Sequence, residues 1–403
     1  GVVIMASHFS NAEWNKINTV FKNSAEDFGL PKRRKDSVII GSFNIRKLGR
    51  IEKRTDQSWE FLKQTISRFD LIAIQEVMDG LEGLEHLSSL LGNDYCIAIT
   101  DVTGATPGKS GNAERLGYLF NKKKVERTAL ASDISFDRSE IINNLYDNRE
   151  QFNQAFDRHS EKIVAWEKKV LQRKAIGKRA PSKPSIEIPT FLAFIRQPQS
   201  TSFRINGAKN ATPYEFIVVN AHLLYGTNKK EREWEFKALI EWLSLRGKYI
   251  DKLYHPNLLL LGDCNLDFDS VPAMKENIEA LLTGLNKTVL KSKKAAVANF
   301  PLLSEHPKEG ILKTALRQKA TYDQIGIFSN DPRLPKPADN AHAGSSAGGY
   351  DYGVFNMGNL IAQALHGKNI DQLSKPQKKA LYKKAEFDIS DHMPIWMRLK
   401  LPE

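Results

Sequence analysis

Asp263 and Asn265 close the run Leu-Leu-Leu-Leu-Gly-Asp-Cys-Asn, and in an extended chain alternate side chains such as these share one face. The same placement, a polar group at the edge of an apolar run, recurs along the chain. Asn44 follows Ser-Phe, Glu76 follows Ile-Gln, His222 follows Asn-Ala, Asp323 opens Asp-Gln-Ile, and Asp391 and His392 stand in Ile-Ser-Asp-His-Met-Pro-Ile. Each has an ordinary structural explanation. Asp-x-Asn stabilises turns through its own backbone, a Glu ahead of a helix complements the helix dipole, and a lone His at a strand end is commonly just hydrogen-bonded. Their conjunction is different, because many desolvated polar ends are costly unless they converge on an ion or a substrate. Oxygen donors without a thiolate cluster suit Mg²⁺, Mn²⁺ or Ca²⁺ better than zinc. With two imidazoles and neutral Asn donors added, the set describes phosphodiester hydrolysis. A cation and Asn neutralise phosphoryl charge, a carboxylate–His pair moves protons, and water attacks in line.

The elements that must position these groups follow from hydrophobic patterning. Ser37–Ile45, Leu71–Gln75, Asp94–Thr100, Leu116–Phe120, Thr190–Arg196, Phe216–His222, Asn257–Leu261, Asp323–Phe328 and Pro394–Leu399 read as strands. Helical stretches are expected at Asn11–Phe28, Trp59–Phe69, Gly83–Leu91 and Lys230–Tyr249, the last with Trp234, Leu239, Trp242 and Leu243 on a helical period. Strands interspersed with helices indicate a layered α/β or α+β domain, sheets inside and helices outside. From Ile142 the apolar positions 145, 152, 156, 163, 166 and 170 read as a long amphipathic helix or helical hairpin, with a basic end at Lys168, Lys169, Arg173 and Lys174. The division expected is a helical extension over 1–36, then one catalytic domain over 37–403. That domain carries a basic helical insertion at about 135–185 and loop-rich insertions at 271–313 and 330–386, the latter including a small-residue tract, Ala341–Gly349, expected to be mobile.

Composition narrows the class. The chain has 403 residues with 59 Lys and Arg against 47 Asp and Glu, and this net charge of +12 suits a polyanion such as nucleic acid or an anionic membrane surface. No apolar run reaches the ~20 residues of a membrane span. The two cysteines, Cys96 and Cys264, exclude a disulfide framework and favour a reducing cytoplasm. Gly1 to Met5 is too short for a signal-peptide core and reads as residues ahead of a start at Met5.

Seven blocks resemble, in order, the endonuclease/exonuclease/phosphatase superfamily and within it the deoxyribonuclease I branch. They are SFNIRKLG (42–49), DLIAIQEVMD (70–79), ERLGYLF (114–120), VVNAHL (218–223), LLGDCNLD (260–267), ATYDQIGIF (320–328) and ISDHMPI (389–395). The resemblance implies a four-layer α/β sandwich of two packed mixed sheets flanked by helices. It also implies roles. Glu76 is the principal metal ligand, supported by Asn44, which also polarises the phosphate, and Asp391 is a second metal or water ligand. His222 and His392 are catalytic imidazoles oriented by Glu114 and Asp323. Asp263 positions or deprotonates the attacking water, Asn265 bonds the scissile phosphate, and Arg46 contacts a phosphate. Which His is base and which is acid stays open.

The chain also departs from that branch. Met78 stands where the secreted enzymes place an Arg after Gln-Glu-Val, and Glu187-Ile188-Pro189 reads where they carry an Arg in a block ending Glu-Pro. The groove contacts are therefore expected to be rebuilt, with the basic segment 162–183, including Lys168, Lys169, Arg173 and Lys174, and the loops at 271–313 and 330–386 as candidates. The expected function is a divalent-metal-dependent endonuclease on DNA with little sequence specificity. The alternatives are a phosphoesterase acting on lipid or inositol phosphates or on RNA, and an inactive polyanion-binding scaffold. A regulatory protein partner contacting the helical insertion is also expected, because an unrestrained nuclease in the cytoplasm is toxic.

Overall fold

Strands form where an apolar run is buried on both faces, and helices where an apolar stripe meets a sheet. The computed structural model describes residues 7–104, 113–225, 228–266 and 272–403; Met5 and Asp267 lie outside them. The first helix, α1 (Asn11–Ser24), starts at a capping box between Ser10 and Glu13 and buries Trp14, Ile17 and Phe21. There follow β1 (Ser37–Leu48), α2 (Asp56–Ile66), β2 (Leu71–Met78), α3 (Glu82–Leu91), β3 (Tyr95–Ile99) and β4 (Glu114–Asn121). The middle of the chain forms β5 (Val125–Asp133), α4 (Arg138–Asp147), α5 (Arg149–Ala175), β6 (Gln199–Ile205), β7 (Tyr214–His222), α6 (Lys229–Lys248) and β8 (Asn257–Asp263). The remainder forms α7 (Pro272–Thr288), β9 (Val297–Asn299), β10 (Asp323–Ser329), β11 (Asp351–Val354), α8 (Met357–His366), α9 (Lys375–Asp388) and β12 (Ile395–Lys400).

The strands make two six-stranded mixed sheets, ordered β11-β12-β1-β2-β4-β3 and β5-β6-β7-β8-β10-β9. Each has one parallel pair at its centre, β1 with β2 and β7 with β8, joined by the crossover helices α2 and α6. Side-chain alternation splits β8 between two cores. Leu259 and Leu261 join Val218 in the large core that includes the space between the sheets, whereas Leu258 and Leu260 join Val219, Phe236 and Leu239 under α6. On the first sheet, α1, α2 and α8 pack together through contacts among Trp14, Phe21, Phe61 and the neighbouring Phe355. The result is the expected four-layer sandwich, helix on sheet on sheet on helix.

Three details differ from the sequence reading. Thr190–Arg196 is not a strand, because Phe191 and Phe194 pack with Phe136 in an aromatic cluster instead of pairing along a ladder. Its place in the second sheet is taken by β6, whose Ser200, Thr201 and Ser202 are buried polar residues that carry no apolar signal. The stretches 271–313 and 330–386 are both less loop-rich than expected, since the first contributes α7 and β9 and the second β11 and two helices, with Met357, Leu360 and Ile361 of α8 in the main core. Within it, Ala341–Gly349 is tied down by the Gly344 amide bond to Tyr350 and by buried Asn340 bonding Asn299. The expected long helix is present but broken at Asn148, whose amide side chain bonds back to Asn144.

Candidate active site

The carboxyl ends of the four parallel strands lie at one pole of the sandwich, where open α/β sheets present their ligands. In β7 and β8 the register sets His222 opposite Asp263. The preceding pair, Ala221 and Gly262, approaches so closely that a Cβ on Gly262 would stand 2.1 Å from the Ala221 carbonyl oxygen. Only glycine fits there, and that close approach brings the two site residues together. In the other sheet, Glu76 has φ +57° and both ladders of β2 shift register around it. A bulge re-aims a side chain at a cost in backbone strain. Lys47 and Asn265, at φ +47° and +50°, share that left-handed conformation at the same pole.

Asp263 is the hub. Its Oδ2 accepts from Asn44 Nδ2 at 2.9 Å and lies 3.5 Å from His222 Nε2 and 3.4 Å from His392 Nε2. Its Oδ1 accepts from the Asn265 amide at 3.0 Å. Each imidazole is backed by its own carboxylate, His222 Nδ1 by Glu114 and His392 Nδ1 by Asp323, both at 2.8 Å. These Nδ1 contacts leave both Nε2 atoms turned to Asp263. Asn44 Nδ2 also reaches Glu76 Oε1 at 3.2 Å, and the Lys47 amide donates to Glu76 Oε2 at 3.0 Å. Ser390 fastens the last segment to β1, donating to the Asn44 carbonyl at 2.6 Å and accepting from the Arg46 amide at 3.0 Å.

Electrostatics separate the groups. Burial, the largest influence on His392, favours the neutral ring, yet the carboxylates of Asp323 and Asp263 override it and hold the imidazolium well above its ordinary range. Burial pushes the Asp263 carboxyl up, against the pull of His392. Burial also acts to raise Glu114, but its bonds to His222 and Arg196 prevail and lower it. A proton-holding imidazole beside a carboxylate of raised basicity is the pairing that acid–base catalysis requires.

Sequence reasoning missed several members. Arg196, in Ile-Arg-Gln-Pro just before β6, lies 3.1 Å from Glu114 through Nε and donates to the His222 and Leu223 carbonyls at 3.2 Å. Glu187-Ile188-Pro189, where the sequence lacks the Arg of the secreted enzymes, lies elsewhere: Glu187 is exposed and pairs with Lys162 of α5 at 2.6 Å. Arg232 of α6 donates to the Asn265 carbonyl at 2.9 Å. Beneath the site, Gln75 bonds Ser42 within its own sheet and Asn220 of the other sheet at 2.8 Å, while Asn220 donates to the Gly117 carbonyl at 2.9 Å. The available signal was an amide inside an apolar strand, one or two residues ahead of a candidate site residue.

The structure thus brings Asn44, Glu76, Glu114, His222, Asp263, Asn265, Asp323 and His392 together, with Asp391 and Arg46 flanking Ser390. Lys168, Lys169, Arg173 and Lys174 of the arm make none of the contacts described above. Lys168 to Arg173 lie roughly 25–30 Å along α5 from Phe152, where the helix meets the domain. Asp263, Asp323 and His392 offer ligand atoms within 4.8 Å of one another. Two further oxygens at the pole, Asn44 Oδ1 and Asp391 Oδ1, are buried without a hydrogen-bond partner among the described residues.

The fold is the deoxyribonuclease I-like one. No family model matches the chain, and no curated protein does. Among solved structures, an endonuclease/exonuclease/phosphatase family protein from Bacteroides thetaiotaomicron is similar at 12% identity, covering 92% of this chain and 100% of that one, with a TM-score of 0.44. The catalytic domain of human Nocturnin is similar at 11% identity over 92% and 96% of the two chains, with a TM-score of 0.44. A mannosyl-6-phosphatase of Bacteroides thetaiotaomicron is similar at 12% identity over 90% and 98%, with a TM-score of 0.43. The deoxyribonuclease I-like description of this chain rests on its two sheets and on the polar strand ends they gather. No helix among the described residues is long and apolar enough to cross a membrane.

Proposed function

We propose that the protein is a divalent-metal-dependent phosphodiesterase that hydrolyses DNA, acting as an endonuclease with little sequence preference. The observation that carries the reading is the convergence of two separately backed imidazoles and one Asn on a single oxygen of Asp263. A structural ion pair needs neither the second imidazole nor the second supporting carboxylate. DNA is favoured over a small phosphate ester by the surplus of 12 positive charges, since phosphate-backbone attraction supplies affinity with little sequence information.

Glu76, Asn44 and Asp391 are the residues that would hold a cation. The donor set fits: it is all oxygen, and the unpaired buried Asn44 Oδ1 and Asp391 Oδ1 are each a liability of roughly 1–3 kcal/mol until something accepts their lone pairs. Such a set suits Mg²⁺ or Mn²⁺, with Ca²⁺ as a further candidate. The alternative group of Asp263, Asp323 and His392 is already engaged, because His392 Nδ1 and Asp323 Oδ2 bond each other. A cation at the Glu76 side supplies neutralisation of phosphoryl charge.

The protein's own groups do the rest. Asp263 accepts a proton from the attacking water, its basicity raised by burial. His392 holds a proton at Nε2 and donates it toward the departing oxygen, and Asp323 keeps that ring oriented through Nδ1. His222, fixed by Glu114 and Arg196, donates to a non-bridging phosphate oxygen together with Asn265. Incubation of supercoiled plasmid with the protein and Mg²⁺ or Mn²⁺ tests the reading. Nicked and linear products that vanish with His392→Ala support it; intact plasmid at high enzyme with either metal overturns it.

A further inference from the structure

The arm formed by α5 ends in an ordered hairpin tip. The helix stops where Gly177, at φ +64°, reverses the chain. The Gly177 amide donates to the Lys174 carbonyl at 3.1 Å and the Lys178 amide to the Arg173 carbonyl at 2.9 Å, which closes the turn. The returning chain lies along one face of the helix. There the Trp166 indole donates to the Pro181 carbonyl at 2.9 Å, and Lys183 sits over its ring. From buried Phe152 to Leu171 the helix rises on the order of 30 Å, so the tip stands well clear of the root.

Two features of this tip call for the same kind of partner. The first is aliphatic. Val164 and Leu171 are two helical turns apart on one face, away from Ile163, Trp166 and Val170, and Ile176 continues that face past the last turn. At 66%, 67% and 64% exposure they are the three most exposed large aliphatic side chains among the described residues. The second feature is charge. Residues 162–183 hold eight Lys and Arg against one acid, Glu167. Of the eight, only Lys162 reaches a carboxylate, that of Glu187, at ion-pair distance among the described residues.

A nucleic-acid duplex satisfies the cations but leaves the aliphatics in water. A second copy covers the aliphatics but sets two surfaces of like charge against each other. An anionic bilayer answers both. Its headgroups take the Lys and Arg heads, whose apolar stems lie beside an inserted aliphatic, and its acyl boundary takes the aliphatics themselves. We propose that the tip of the arm is a peripheral docking site for an anionic lipid bilayer. Val164, Leu171 and Ile176 sit at the headgroup–acyl boundary, and the surrounding Lys and Arg side chains hold the headgroups. This anchor is independent of the phosphodiesterase reading and stands whether or not the protein cleaves DNA.

The full chain is co-sedimented with vesicles of phosphatidylcholine alone and of phosphatidylcholine with about 30% phosphatidylserine. Its affinity for a DNA duplex is measured in parallel with chelator present. The parent binds the anionic vesicles at least tenfold more tightly than the neutral ones. Leu171→Ser/Ile176→Ser weakens anionic-vesicle binding about tenfold and leaves duplex affinity within about twofold. Leu171→Trp, which places an interfacial aromatic at the same exposed position, strengthens vesicle binding severalfold. Equal binding to both kinds of vesicle, or vesicle binding unmoved in the Ser pair, overturns the proposal. So does an equal loss of duplex affinity in the Ser pair, which makes the tip part of a nucleic-acid surface. A parent dimer that the Ser pair dissolves overturns it as well, because the aliphatics then belong to a second copy.

Discussion

The polar pole of the sandwich and the arm formed by α5 are built on opposite terms. At the pole, every candidate residue except Asp391, Glu76 and Arg46 is more than nine-tenths buried, and Asp263 alone meets four neighbours. Along the arm, only Phe152 and Ala155 of 27 residues are buried. Its Ile163, Trp166 and Val170 are half-covered by the chain returning beside it, through a bond from Trp166 Nε1 to the Pro181 carbonyl and the Lys162–Glu187 ion pair. The chemical centre is over-determined by two sheets, whereas the basic surface is carried on an element that touches the domain at its root. The basic charge of the arm is thus carried on a different element from the polar groups gathered at the pole.

The sharpest way to break that contrast is to remove a member of the centre. His392→Ala or Asp263→Ala lowers plasmid cleavage by ~10³-fold or more, with the melting temperature unchanged or higher, because buried charges are held together at a stability cost. Residual cleavage within tenfold of the parent in both variants would mean that the chemistry lies elsewhere. Glu76→Gln is the next largest: the Mg²⁺ concentration for half-maximal cleavage rises at least tenfold, read from a metal titration. Neutralising Lys168, Lys169, Arg173 and Lys174 acts on the arm alone. Duplex affinity falls, and the slope of log K against log salt becomes shallower by about one unit for each phosphate the arm no longer neutralises. An unchanged slope would remove the arm from DNA binding.

The smallest effect concerns Glu235 of α6, whose carboxylate accepts from the Ile195 amide at 3.3 Å beside Arg196. Burial pushes its carboxyl up from 4.5 to about 8, so the folded chain retains a proton that the unfolded chain releases. The stability this contributes is complete below about pH 4.5 and is lost as the pH rises through 8. Glu235→Gln should flatten the fall in melting temperature over that window and stabilise the alkaline end, by on the order of a few kcal/mol. A parallel fall in both proteins would count against it.

The central strands, and most of the candidate residues that the structure gathers at the pole, were legible because both signals are local. An apolar run such as Leu258–Leu261 announces a buried strand, and a polar residue that ends it announces what the strand presents. What stayed hidden depends on partners far along the chain. β6 is buried yet rich in Ser and Thr, with the Ser202 hydroxyl bonded to Thr128 and Leu130 of β5 and the Thr201 hydroxyl to Gln199 of its own strand, so no hydrophobic period marks it. Arg196 joins the site only because β6 and β7 set it against Glu114 of the other sheet. The bulge that aims Glu76 is a property of two ladders at once, and Arg54 reads as an ordinary surface residue until Trp59 and the Ile389 carbonyl close over it.

The amide bridge from Gln75 to Asn220 bears on how such a centre survives thermal motion. The candidate site draws on both sheets, and two greasy layers have little to stop them sliding past one another. A directional bond just below the pole, 2.8 Å from Gln75 Nε2 to Asn220 Oδ1, acts as a dowel that resists lateral slip. Loosening it would leave a protein that melts normally, yet whose His222 and Asp263 on one sheet meet Asn44 and Glu76 on the other only intermittently.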